Sequence, residues 1–511
     1  MSKFHSMVSR RDFMKGLGLA GMGAAALTTP IFHDLDEVVS SSLASFERPW
    51  WVKQREEPTV EIDWNVLKRY DARIAKGKYT DVQHWGMDRM LKAAQEKSAF
   101  SAAQAAGAKG FTTRDRAFSS AASLVPRNPE GETWMGYTKV KTPEQQGLPK
   151  WQGTPEENTR MLRAVAKAYG ASALGADSLG SASDKRRNLI HSYDRCGPKG
   201  SSISLPLSSG TSWPPAAGYW RKIDFEDVDV GYSAPLNGEA DCRLVLPNKE
   251  LWSAPIMIQM PRDGWRTCAP DKMRGSTISG WSNGMRYQIW HHSVSPGVKG
   301  FLRGIGYNGY GSGYPESSSG GLMQSEAAAV TGGLAEMGRP SEVCIYPEWG
   351  PASGWFDVIT DLPLAPLKPV DAGIFRFCHT CKKCAEVCPS QSVSYDKEPS
   401  WEIPQFDYLV PNMRQQAGKR LFWIDTQQCN QNQWGCTNIC RGQCTMNVDA
   451  AAMVHAVVRG TVSVTPIFNS FLWNMGKTFN YGFVDPEDWW AIASDLPTHH
   501  TVGTLGATRG L

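Results

Sequence analysis

Between Thr154 and Tyr169 the apolar positions Met161, Leu162, Val165, Ala168 and Tyr169 recur at helical spacing. Thr154 is a good N-cap, Pro155 suits the first helical position, and Glu157 completes a capping box. A second helix is predicted from Trp85 to Ala106. Small residues from Ala171 to Gly180 read as a strand and turn. Short apolar runs alternating with Pro, from Arg243 to Pro261, read as strands. Residues 285–345 combine a helix, a Gly-dense loop and a second helix. Residues 36–150 are otherwise polar and include Arg48-Pro49-Trp50-Trp51.

No apolar run approaches the roughly 18–20 residues that span a bilayer. The longest, Gly16 to Pro30, is rich in Gly and Ala and follows Ser9-Arg10-Arg11-Asp12-Phe13-Met14-Lys15. Paired arginines, a following Phe and a weakly hydrophobic stretch resemble a twin-arginine export signal, assigned to residues 1–35. That pathway carries folded proteins that take up complex cofactors in the cytoplasm, so the signal predicts a cofactor.

The chain has 511 residues, of which 41% are hydrophobic and 20% charged, a globular composition with room for more than one packed unit. The net charge is +4, which gives no support for a nucleic-acid binder with its concentrated basic face.

Of 12 cysteines, Cys196, Cys242, Cys268 and Cys344 are scattered and read as buried small hydrophobes. The other eight form two groups. Cys378-x2-Cys381-x2-Cys384-x3-Cys388, followed by Pro389, is the bacterial ferredoxin run for a [4Fe–4S] cluster. Two-residue gaps let three thiolates converge on one cubane, and the fourth Cys turns to a second cluster. The second group, Cys429-x6-Cys436-x3-Cys440-x3-Cys444, departs from the usual spacing, and Thr445 stands where Pro is expected. Crossed ligation places Cys378, Cys381, Cys384 and Cys444 on one cluster, and Cys388, Cys429, Cys436 and Cys440 on the other. Disulfides fit poorly, since four Cys packed this closely make poor partners for distant loops. Zinc would want paired CxxC units without the third two-residue gap.

The loop Gly304-Ile305-Gly306-Tyr307-Asn308-Gly309-Tyr310-Gly311-Ser312-Gly313 is too Gly-dense for regular structure. It suits backbone passing close to a bulky ligand, with a flexible surface loop as the bland alternative. It lacks the third glycine and the strand–turn–helix setting of a dinucleotide site.

Several stretches together resemble the catalytic subunit of the respiratory reductive dehalogenases, which are corrinoid iron–sulfur enzymes. They are the twin-arginine start, Pro49-Trp50-Trp51 with Ile62-Asp63-Trp64, and Gly153-Thr154-Pro155-Glu156-Glu157-Asn158. They continue with Ile305-Gly306-Tyr307, Thr360-Asp361-Leu362-Pro363-Leu364-Ala365-Pro366, Lys368-Pro369, Asp371-Ala372-Gly373 and Thr465-Pro466-Ile467-Phe468-Asn469. The resemblance implies an α+β fold. A nitroreductase-like corrinoid-binding core (151–365) would follow an N-terminal region (36–150). A ferredoxin-like double-cluster unit (366–455) would come next, and a C-terminal segment (456–511) would pack on the core.

It also implies a cobalamin-type corrinoid, base-off and without a protein histidine on cobalt; the chain has no Asp-x-His-x-x-Gly motif. His291 and His292 lie in the right region but are not taken as ligands. Gly306, Tyr307, Gly309, Gly311 and Gly313 are the implied corrinoid contacts. The implied reaction removes halide from a small chlorinated ethene or arene at Co(I) fed by the two clusters, with a Tyr as proton donor. Tyr287, twenty residues before Tyr307, fits that Tyr, and Tyr307 and Tyr310 are rivals. The family's basic residue before Thr-Asp-Leu-Pro is missing, since Gly354-Trp355-Phe356-Asp357-Val358-Ile359 holds no Lys or Arg; Arg286 or Arg303 is the candidate substitute. The implied partners are a small integral membrane anchor protein and an upstream electron donor complex, at the outer face of the cytoplasmic membrane. Two rivals are an exported iron–sulfur electron-transfer subunit and a relative of epoxyqueuosine reductase. The export signal and small net charge argue against the second.

Overall fold

The computed structural model describes residues 48–71, 86–123, 132–195, 220–236, 242–269, 274–311, 321–404, 415–426, 428–429, 436, 438–447, 453–478 and 483–495. The twin-arginine segment, Cys196 and Gly313 lie outside these residues. The elements used below run in chain order. They begin with β1 (Lys53–Gln54), α1 (Met87–Ala105), α2 (Thr113–Ser123), α3 (Pro155–Ala168), β2 (Ala173–Leu174) and β3 (Asp177–Gly180). Next come β4 (Tyr193–Arg195), β5 (Trp220–Glu226), β6 (Tyr232–Pro235), β7 (Cys242–Pro247) and β8 (Leu251–Gln259). Then α4 (Thr277–Ile289), α5 (Ser295–Gly304), β9 (Gly309–Tyr310), α6 (Ser325–Thr331), β10 (Ser353–Thr360) and β11 (Val370–Asp371) follow. The last are α7 (Ile374–Thr380), α8 (Lys383–Glu386), α9 (Ile439–Gly442), α10 (Met453–Val464), α11 (Asn469–Thr478) and α12 (Pro486–Asp495).

The α3 helix begins where its capping signal predicts. The Thr154 side chain accepts from Glu157 N, and Glu157 returns the bond to Thr154 N at 2.8 Å. The helix predicted from Trp85 to Ala106 is α1, and the strands expected within 243–261 are β7 and β8. A feature without a local signal is β10, buried in all eight residues. It pairs antiparallel with β8 from Trp252↔Thr360 to Gln259↔Ser353, at the centre of a sheet ordered β9–β10–β8–β2, with β3 also on β8. Both faces of β10 are covered. Phe356 and Val358 pack with Leu162, Ile256 and Trp290 on one side, and Trp355 packs with Met257, Trp349 and Phe375 on the other. A strand buried on two faces has no polar/apolar alternation to betray it. A second sheet, ordered β4–β5–β7–β6, closes a third cluster that includes Ile223, Leu244 and Tyr310.

Three sequence segments singled out above meet at one corner. Asn158 Nδ2 donates to Pro363 O at 2.9 Å, and Ala365 N donates to Thr159 Oγ1 at 2.8 Å. Asp361 accepts from Asn308 N at 2.7 Å and from Asn308 Nδ2 at 2.8 Å. The Gly-Thr-Pro-Glu-Glu-Asn, Gly-Tyr and Thr-Asp-Leu-Pro stretches therefore fasten α3, the Gly-rich loop and β10 together.

Candidate functional site

Four of the eight clustered cysteines are carried by short helices and their ends: Cys378 in α7, Cys381 at its C-cap, Cys384 in α8 and Cys440 in α9. All eight are free thiols rather than disulfides. Burial raises the Cys378 thiol pKa above its ordinary value, and the neighbouring Cys381 and Cys444 raise it further. Cys384 is raised by burial and then by Cys381, Cys378, Cys444 and Cys440. Cys429 is raised by burial, Glu342 and then Cys440, Cys436 and Cys388. The eight thiols thus lie close together, Cys378, Cys381, Cys384 and Cys444 as neighbours and Cys388, Cys429, Cys436 and Cys440 as neighbours, with Cys440 also near Cys384 and Cys444. Buried thiolates this close repel one another, and a cationic iron cluster is the kind of group that relieves them. Among the described residues no three His, Cys, Asp or Glu side chains gather tightly enough to hold a single metal ion. Thr445, which stands in place of the usual Pro, sets its hydroxyl 3.4 Å from Cys381 Sγ.

Two side chains without a sequence signature hold the first loop. Arg339 is fully buried, and its Nε donates to Cys378 O and Cys381 O, each at 3.0 Å. Its Nη1 donates to Ser394 O at 3.0 Å and Asp396 O at 2.7 Å. Glu336 accepts from Ala372 N at 2.6 Å, Ile374 N at 3.1 Å and Phe375 N at 3.2 Å, which seats the start of α7. Burial raises its pKa to about 7, against the pull of those three N–H groups.

Tyr287 lies on α4, whose Ser276–Ser279 pair forms a reciprocal cap. Its ring meets Phe356 edge-on at 5.8 Å, and Phe356 stacks on Trp290 at 4.6 Å. Arg286 Nη2 donates to the Tyr287 hydroxyl at 3.0 Å, and the guanidinium sits 4.7 Å from the ring centroid. Gly354 makes room for Arg286, because a Cβ there would lie 2.7 Å from Arg286 Cβ. Arg303 instead donates to Val140 O at 2.6 Å. From the cysteine unit, the buried Arg441 donates to Ser353 O and Glu342 O, each at 3.2 Å. Burial lowers the Arg441 pKa, and the nearby Arg286 lowers it further, while Glu326, Cys440 and Tyr287 raise it. Arg441 follows Cys440, so the second cysteine group abuts the Tyr287 region.

Tyr307 and Tyr310 are differently engaged. The Tyr307 hydroxyl donates to Trp151 O at 3.1 Å under the Lys150 ammonium, and burial raises its pKa. The Tyr310 hydroxyl accepts from Gly231 N at 3.0 Å, and burial raises its pKa strongly. The described glycines of the loop face protein. A Cβ on Gly306 (φ +90) would lie 2.9 Å from Lys150 Cγ, on Gly309 2.9 Å from Leu302 Cδ1, and on Gly311 3.4 Å from Asp357 O. His291 is buried in a π-helical turn and His292 is exposed. Of the scattered cysteines, Cys344 is buried and Cys242 only half-buried.

Near Tyr287, Asn283 Oδ1 and Arg286 Nε on α4 are buried without a hydrogen-bond partner, as is Arg441 Nε beside Ser353; Trp355 Nε1, on the other face of β10, is a further one. Asn283, Arg286 and Tyr287 stand at i, i+3 and i+4, on one face of the helix. Buried polar atoms without a partner call for one, which water or a ligand can supply.

With fold and site in view, the relatives are informative. Residues 47–364 match the family model described as reductive dehalogenase subunit. The chloroethene reductive dehalogenase of Dehalococcoides mccartyi strain VS is 32% identical over 549 residues, covering 96% of this chain and 98% of that protein. The trichloroethene reductive dehalogenase of D. mccartyi strain 195 is 29% identical, covering 97% and 98%. A solved structure, whose report links a reductive dehalogenase to B12-dependent dehalogenation, shares the fold with a TM-score of 0.50 at 16% identity. That match covers 84% of this chain and 49% of the other. The chain belongs to the reductive dehalogenase family, and it is an oxidoreductase.

Proposed function

We propose that this protein reductively removes halide from a chlorinated ethene, as the terminal reductase of organohalide respiration. It would use a cobalamin-type corrinoid held without a protein histidine ligand and two [4Fe–4S] clusters. The observation that supports the reading is that eight free thiols lie close together, and that Arg441, next to Cys440, donates to Ser353 O beside the Gly354–Arg286 contact. Chlorinated ethenes are favoured over arenes because the two relatives matched over 98% of their length are named for chloroethene and trichloroethene. The corrinoid, when bound, supplies the low-valent cobalt chemistry that cleaves a carbon–halogen bond.

The chain's own residues do the rest. Cys378, Cys381, Cys384 and Cys444 hold one cluster, and Cys388, Cys429, Cys436 and Cys440 hold the other. Asn283 and Arg286 offer the polar atoms that face the cofactor and substrate. Tyr287 holds the proton that replaces the halogen. A phenol is an acid of useful strength only where a cation steadies the phenolate it leaves, and Arg286 is hydrogen-bonded to that oxygen. Phe356 and Trp290 form an apolar wall that keeps water from the Tyr287 ring. The core would be nitroreductase-like and the cysteine unit ferredoxin-like. Export by the twin-arginine route and pairing with an integral membrane anchor protein complete the reading.

Metal analysis of anaerobically purified protein, with viologen-driven turnover of chlorinated ethenes, tests it. About eight iron and one cobalt per chain, with chloride release, are expected. Eight iron without cobalt in fully loaded material points instead to an electron-transfer subunit.

A further inference from the structure

Two hydroxyl side chains in the cysteine unit reach sulfur atoms. The first is Thr445, whose Oγ1 lies 3.4 Å from Cys381 Sγ. Thr445 follows Cys444 directly, at the position where the ferredoxin run places Pro. Proline has neither a hydroxyl nor an N–H, so the exchange puts a side-chain donor where that run has none. The two residues stand 64 positions apart, so the contact is a tertiary one. In the same turn Met446 N donates to Cys444 Sγ at 3.4 Å.

The second hydroxyl is that of Ser390. Its Oγ lies 3.4 Å from Cys388 Sγ and 2.6 Å from the Oγ of the buried Ser392. Ser392 N also donates to Cys388 Sγ, at 3.4 Å. A hydroxyl has one proton to give. A sulfur bound to iron is a thiolate and can only accept. With iron bound, Thr445 therefore donates to Cys381, and Ser390 donates to Cys388 while accepting from Ser392. Cys381 and Cys388 fall in different ligand sets, so each set has a hydroxyl of its own.

Uptake of one electron from the donor adds one negative charge, which the iron-bound sulfurs share. A hydrogen bond to such a sulfur strengthens as the charge on it grows, so it favours the reduced form and raises the potential. We propose that the Thr445 hydroxyl sets the reduction potential of the cluster held by Cys381, and the Ser390 hydroxyl that of the cluster held by Cys388. Neither touches substrate; both are positioning residues that act through a ligand sulfur. The inference rests on the two-cluster reading of the site.

Potentiometric titration of the full anaerobically purified chain, followed by electron paramagnetic resonance, tests it. The wild type is expected to give two one-electron midpoints. Thr445→Val removes the hydroxyl and keeps the branched shape. It is expected to disfavour reduction of one cluster by about tenfold, a shift of about 59 mV to more negative potential, with the other midpoint in place. Ser390→Ala moves the other midpoint in the same direction, and Thr445→Ser, which keeps the hydroxyl, stays at the wild-type values. Electron–nuclear double resonance in D2O loses an exchangeable deuteron in the Val and Ala variants. Turnover driven by a weakly reducing viologen falls in both, and a more strongly reducing one restores it.

A midpoint that stays put with full iron content removes that residue from the proposal. A shift in Thr445→Ser as large as in Thr445→Val overturns the role of the hydroxyl, as does loss of iron from Thr445→Val, which assigns Thr445 to holding the loop. Both variants moving the same midpoint overturn the assignment of one hydroxyl to each cluster. Wild-type protein that carries no cluster iron sinks the two-cluster reading and this inference with it, whereas full iron with unmoved midpoints sinks this inference alone.

Discussion

Arg286 donates from Nη2 to the hydroxyl of the residue that follows it, Tyr287, at 3.0 Å. Consecutive residues on a helix point about 100° apart, so the pair meets only because the long Arg side chain curls back, and Gly354 leaves the space for its stem. Tyr287→Phe is expected to cut turnover by roughly 100-fold or more while corrinoid content is retained. Turnover measured beside cobalt content checks this, and unchanged turnover moves the proton donor to Tyr307.

Arg286→Gln keeps a donor near the phenol but removes the charge. Turnover is expected to fall with little change in KM, and Arg286→Lys to restore part of it. A fall equally large in both variants, with cobalt lost, would show that Arg286 holds the cofactor rather than the phenolate. Gly354→Ala tests the same geometry from the other side, since the added methyl displaces the Arg286 stem and is expected to lower turnover with iron content intact.

Cys381→Ser is expected to remove about four iron atoms per chain and abolish turnover, because an alcohol is a poor substitute for a thiolate on iron. Iron analysis of the anaerobically purified variant checks it, and full iron content would remove Cys381 from the ligand set.

Glu336 is the buried anchor of α7. Glu336→Ala leaves three backbone N–H groups without their acceptor and is expected to cost about 3 kcal/mol. The loss should appear as a lowered denaturation midpoint and as easier release of iron from the first cysteine group.

Stability should fall as pH rises through the weakly acidic range. Burial raises the pKa of Glu336 from 4.5 to about 7 and that of Asp357 from 3.8 to about 7. The unfolded chain therefore gives up these protons at lower pH than the folded one. The stability they contribute is present below about pH 4 and lost as pH rises to about 7. Denaturant unfolding at pH 5.5 and 8 measures the difference, and Asp357→Asn should flatten it.

How much of this was legible depends on how far apart in the chain the interacting groups stand. The α3 start was readable because a capping box closes within four residues. The two cysteine groups were readable because a cluster's thiolates come from short loops of fixed spacing. The resemblance implies a proton-donating Tyr about twenty residues before Tyr307, a position that Tyr287 fits, and Arg286 is one candidate for the missing cation. Arg303 was named equally, and only packing separates them, since one reaches the phenol and the other Val140 O. Glu336, Arg339 and Arg441 carried no motif, because each acts on a segment distant in sequence.

The sequence by itself determined that local helix starts at Thr154, that eight thiols stand at cluster spacing, and that the chain resembles a dehalogenase from end to end. These are properties of residues near one another in the chain, or of a pattern held along it. Tertiary structure alone decided that Ser353–Thr360 is the central strand, since burial on both faces erases the alternation that marks a strand. It alone decided that the family motifs at Asn158, Asn308 and Asp361 fasten the core to itself, and that Arg441 brings the second cysteine group beside Tyr287. Contacts of that kind join positions far apart in the chain, and their geometry exists only once the sheet and the short helices have packed.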